Sequence, residues 1–114
     1  MTATQQDVVI EQGTTFTYLW QILDVDLVAL GGTCAAKFRP SHASGTTVLA
    51  LASPGTLTIA KSGNHTHVTA NVTATATAAL SAPQRGVYDL EYTVGAAVTR
   101  AVEGSFYVTP EATK

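Results

Sequence analysis

A single cysteine, Cys34, stands in 114 residues, which excludes an intramolecular disulfide and leaves the fold to rest on its packed core. Charge is scarce too. Lys and Arg number 6 and Asp and Glu 8, together 12% of the chain, against a usual share of about a quarter. So few charges cannot lace long solvated helices with paired faces. The net charge is −2 and the pI about 5.8, so there is no basic surplus to neutralise nucleic-acid phosphates or an anionic lipid surface. No window approaches the ~18 consecutive apolar residues of a membrane-spanning helix, and the longest Ala-rich stretch, Ala70 to Leu80, is broken repeatedly by Thr. Met1 to Asp7 has no basic patch followed by an apolar run, so no signal peptide is expected. A chain made in a reducing cytoplasm is the expectation.

What fills the deficit is 19 Thr and 18 Ala, within a hydrophobic content of 46% that is ordinary for a chain with a buried core. Thr, Val and Tyr favour strands, and alternation with period 2 dominates. Val8 and Ile10 share a face. After Gly13, so do Phe16, Tyr18, Trp20 and Ile22. Cys34, Ala36 and Phe38 point inward between Thr33 and Arg39, and Pro40 stops that strand. Short strands are expected at Thr47–Leu51 and Thr56–Lys61, with turns at Ser41–Gly45, Ser53–Gly55 and Ser62–Asn64. The strand returning from Asn64 turns Val68, Ala70 and Val72 inward and His65, His67 and Asn71 outward. Thr75 to Leu80 changes period and reads as one short helical turn behind a Thr cap. Tyr88, Leu90, Tyr92 and Val94 alternate again, and Val98, Val102, Phe106 and Val108 supply the apolar side of a last strand from Ala97 to Thr109. Residues 24–30 read as a connection with a few buried anchors.

This spacing gives seven or eight strands and favours an antiparallel sandwich or small barrel. One domain spans 1–114, with short flexible tails at 1–6 and 111–114. The expected core is Phe16, Trp20, Phe38, Tyr88, Leu90 and Phe106.

Little in the chain points to chemistry. His65 and His67 sit on one strand face, about 6–7 Å apart at the backbone, and could begin a metal site if a third ligand joined them. Solvent-facing strand residues beside a turn are the plainer reading, so no metal or other cofactor is expected. His42 lies in a turn and adds little. Asp24 with Asp26, and Asp89 with Glu91, are pairs at i, i+2 spacing that read as solvated faces. No Asp-x-Asp-x-Asp-Gly pattern follows either of them. Alternation places Cys34 inward, as a buried thiol rather than a nucleophile. Gly-x-Ser-x-Gly, a phosphate-binding Gly loop and Cys-x-x-Cys are all missing, and no catalytic residue is expected.

Several stretches in order carry a resemblance: Val9-Ile-Glu-Gln-Gly-Thr-Thr-Phe16 before Leu19-Trp20, Ala35-Ala-Lys-Phe-Arg-Pro40, Thr47-Val-Leu-Ala-Leu51, Thr75-Ala-Thr-Ala-Ala-Leu80, Gly86-Val-Tyr-Asp-Leu-Glu-Tyr92, Arg100-Ala-Val-Glu-Gly104 and Val108-Thr-Pro-Glu111. From about Val8 to Glu111 this order resembles small structural proteins of tailed phages and prophages, similar to the N-terminal β-sandwich domain of upper baseplate proteins. Asp24 to Gly32 departs from that pattern, standing where the family has a Gly-x-Pro-Val-Asp-Leu-Thr-Gly turn. The resemblance implies an all-β, Ig-like β-sandwich and a non-enzymatic virion building block in the tail or baseplate. Its partners would be other virion proteins and copies of itself in a homo-oligomer, with no nucleic acid or membrane. A capsid decoration (cement) or head-fibre protein is the nearest alternative. A carbohydrate-binding module, the alternative from another class, would need Trp20 or Tyr107 on the surface.

Overall fold

The computed structural model describes residues 4–41, 45–53 and 55–110; His42 and the expected tail at 111–114 lie outside them. Nine strands and two short helices follow one another in this range: β1 (Thr4–Gln5), β2 (Val8–Glu11), β3 (Phe16–Ile22), α1 (Leu27–Leu30), β4 (Thr33–Arg39), β5 (Leu49–Ala52), β6 (Leu57–Ser62), β7 (His65–Val72), α2 (Ala74–Ala78), β8 (Gln84–Val94) and β9 (Ala97–Thr109). Strands β1-β9-β8-β4-β5 form one sheet, with β2 also on β9, and β3-β7-β6 form the other. This is an Ig-like β-sandwich: β3, β7 and β6 stand as B, E and D, and β9, β8 and β4 as G, F and C.

Two departures from the expected layout have local causes. Thr4 and Gln5, read from the sequence as tail, are a strand, because they continue the edge of β9 opposite Val102 and Glu103. Both β1 and β2 run parallel to β9, since the chain crosses to the other sheet through Gly13 (φ 84°) instead of folding back as a hairpin. β9 is therefore flanked on both sides.

The expected core residues Phe16, Trp20, Phe38, Tyr88, Leu90 and Phe106 are all buried between the sheets. The aromatic rings among them, joined by that of Tyr18, form a continuous row. Phe16 lies 6.1 Å from Tyr18, Tyr18 lies 5.0 Å from Trp20, and Trp20 lies 5.9 Å from Tyr88. Tyr88 then stacks on Phe38 at 5.1 Å, and Phe38 meets Phe106 edge-on at 5.3 Å. Offset and edge-on rings of this kind hold the two sheets together beyond their area alone.

Val98, expected on the apolar side, is exposed. A register shift between Leu90 and Glu91 pairs Leu90 with Val102 but Glu91 with Arg100, so Ala101 is an extra residue in β9. Such a bulge reverses the side-chain phase, and Val98 faces outward while Val102, Phe106 and Val108 face inward.

Among the described residues two polar side chains are buried, Thr66 and Thr77, and they tie down connections at opposite ends of the sandwich. Thr77 Oγ1 accepts from the Gly13 amide at 3.1 Å and donates to the Thr14 carbonyl at 2.6 Å. Thr66 Oγ1 accepts from the Leu27 amide at 3.0 Å and donates to the Val25 carbonyl at 2.6 Å. Thr66→Val keeps the shape and strands both backbone groups, so we expect a loss of about 1–3 kcal/mol in chemical denaturation.

Candidate interaction surfaces

The sequence placed its candidate ligands on the strand after Asn64, and the structure sets both His65 and His67 on the outer face of the β3-β7-β6 sheet. His67 Nε2 lies 3.4 Å from the Gln21 amide. His65 Nδ1 accepts the Asp24 backbone N–H at 2.9 Å, which leaves its Nε2 as the N–H nitrogen of the neutral ring. That bond holds Asp24 at φ 60°, a left-handed conformation that Asp tolerates better than most residues. His65 thus acts as a brace for the connection after β3. Among the described residues no group of three or more His, Cys, Asp or Glu is disposed to hold a metal.

One carboxylate of each pair, Asp26 and Asp89, is tied into an ion pair. Asp26 caps α1 by accepting the Ala29 amide at 3.1 Å and meets Lys61 at 3.0 Å. The Ala29 bond first, then Lys61, holds its carboxyl below the usual range. Asp89 lies 3.4 Å from Arg100, which also reaches Glu103. Cys34 is buried, and desolvation pushes its thiol up to about 11, far from the thiolate a nucleophile needs. Trp20 is fully buried. Tyr107 is half-buried, with the Arg85 guanidinium 4.3 Å above its ring, so neither offers the open aromatic platform of a carbohydrate-binding module.

The distribution of charge is the property the sequence hid. Alternation along β4, β8 and β9 turns Lys37, Arg39, Arg85, Asp89, Glu91, Arg100 and Glu103 to the outer face of the large sheet. Register lines Lys37, Asp89 and Glu103 up in one row. The outer face of the small sheet is different. Its rows read Thr17–Asn71, Leu19–Thr69–Thr58, Gln21–His67–Ala60 and His65–Ser62, with no carboxylate, ammonium or guanidinium among them. Lys61, on β6, belongs to the row of buried Thr66 and turns to Asp26. A second uncovered region lies at one end, where Leu23, Val28 and Leu30 of the segment after β3 and Val98 of β9 are exposed. A groove of about 260 Å3 there is lined by Ile22, Leu23, Tyr92 and Ala101, with Thr4, Asp24, Val25, Thr99 and Arg100 around it.

An Ig-like sandwich with one charged and one neutral face is thus the class that fold and surface define. No family model matches the chain, and no curated protein does. Among solved structures it is similar to the M1 domain from titin, at 12% identity and TM-score 0.41, over 100% of this chain and 97% of that one. It is also similar to the NK cell receptor Nkp44, at 15% identity and TM-score 0.48, over 97% of this chain and 100% of that one. The titin M10 and obscurin-like 1 Ig complex gives 13% identity and TM-score 0.40, over 97% and 91%.

Proposed function

We propose that this chain is a non-enzymatic structural protein of a phage virion, a tail or baseplate adaptor or assembly unit that acts through protein–protein contacts. The observation that supports a contact role is the neutral outer face of β3-β7-β6, beside a large sheet whose outer face carries most of the charge. Covering a face of Thr, Asn, Gln, Ser, Leu, Ala and the two imidazoles desolvates no carboxylate, ammonium or guanidinium, and the cores of protein interfaces are depleted in charge for the same reason. The tailed-phage part of the reading is supported by the ordered sequence resemblance from Val8 to Glu111.

The test is co-sedimentation of the purified chain with separated tail and capsid fractions of the virus that encodes it. Binding to tails is the expected result. Thr69→Lys, at the centre of the neutral face, should weaken it about tenfold, by burying a charge without a partner. Binding to capsids alone would move the assignment to a decoration protein, and binding to neither would overturn it.

A further inference from the structure

The small sheet ends at β3 on one side. In an Ig-like sandwich of the constant type a first strand lies against this edge. Here the first strands pair with β9 instead, which among the described residues leaves the β3 edge open. Most exposed edges carry a device against pairing, such as charge, proline, a bulge or short length. β5 has only four residues, β6 carries Lys61, and β2 carries Glu11. β3 has none of these. It is seven residues of Phe-Thr-Tyr-Leu-Trp-Gln-Ile, in unbroken register with β7, and Leu19 at its centre is 50% exposed.

The sequence of this strand is a palindrome in character about Leu19. Antiparallel pairing of β3 with itself sets Phe16 against Ile22 and Tyr18 against Trp20 on the core side, Thr17 against Gln21 on the outer side, and Leu19 against Leu19. Every residue meets its own kind and keeps its own face, so the register is specified by the pattern. A foreign strand would have to supply that pattern; a second copy already has it. β3 carries no charged side chain, so none meets a like charge along the paired strands. We propose that β3 pairs with β3 of a second copy about a two-fold axis at Leu19, joining two three-stranded sheets into one of six strands. The inference goes beyond the virion reading and does not depend on it.

The test is light scattering of the full chain over a wide concentration range. A concentration-dependent dimer is expected. Leu19→Lys places two ammonium groups opposite each other and should weaken association about tenfold. The thermal melt, extrapolated to low concentration, stays unchanged, because Leu19 is on the surface. Leu19→Cys should form a disulfide dimer under mild oxidation, since directly opposed residues are about 4.5–5.5 Å apart at Cα. Thr69→Cys, one strand further from the axis, should not. Three results would overturn the proposal: a monomer throughout, a dimer indifferent to Leu19→Lys, or cross-linking at Thr69 in preference to Leu19. An extended peptide that binds a monomer and is blocked by Leu19→Lys would also overturn it, by giving the edge to a foreign strand. None of these outcomes bears on co-sedimentation with tails.

Discussion

Trp20→Ala should lower stability by about 3–5 kcal/mol, the range for deleting a fully buried large aromatic. The indole has no exposed surface, lies between Tyr18 and Tyr88, and bridges both sheets. It also carries a polar role. Its N–H donates to the Tyr88 hydroxyl at 3.1 Å, and that hydroxyl donates to the Gln6 carbonyl at 2.5 Å. Truncation therefore removes packing and leaves the Tyr88 oxygen one donor short. Urea denaturation checks the magnitude; a loss below about 1 kcal/mol would mean that the cavity collapses at almost no cost.

The same hydroxyl gives a pH signature. Burial pushes the Tyr88 phenol from 10.0 up to about 12. Between those values the unfolded chain has lost the proton and the folded chain keeps it, so the unfolded state binds fewer protons and stability falls as pH rises. This contribution is fully present below about pH 10 and gone above about pH 12. Tyr88→Phe should remove it while leaving the Trp20 N–H and Gln6 carbonyl unpaired. The variant is expected to be less stable at neutral pH and to show a flatter alkaline decline.

Period 2 made the strands legible because each has one face against the core. It placed Trp20, Phe38, Leu90 and Phe106 correctly, and it put His65 and His67 outside. It failed at Val98, because a bulge at Ala101 depends on how β9 pairs with β8, and alternation along one strand carries no information about pairing. The helix α1 was missed for another reason. Asp26 caps it and Gly31, at φ 69°, ends it, and both signals stand in the sequence. A single turn between them gives no helical period to find. The neutral face could not be read at all. Thr and Ala are spread along the whole chain, and only the register of three strands brings uncharged positions into one surface while β4, β8 and β9 gather the charges.

Gly104→Val should cost about 3 kcal/mol, at the upper end for groups forced into filled space. A Cβ at Gly104 would overlap the Gln6 carbonyl oxygen and its carbon, and would crowd the Asp7 carboxylate. The obstacle is backbone, so no rotamer change relieves it. Where β1 gives way to β2 along β9, the Gln6 amide donates to the Glu103 carbonyl at 2.9 Å, and Asp7 accepts the Ser105 amide at 2.9 Å. The close approach of Gln6 to β9 is also what carries its carbonyl to the Tyr88 hydroxyl and its side chain to that of Tyr18. A side chain at 104 therefore does more than crowd an edge: it draws Gln6 off the end of the Trp20–Tyr88 chain of hydrogen bonds. Double-mutant analysis separates the two effects. If Gly104 acts only by local crowding, the losses in Gly104→Val and Tyr88→Phe add within about 0.5 kcal/mol. If it acts through Gln6, the double variant loses less than the sum, because Tyr88→Phe has already broken the bond that the valine displaces.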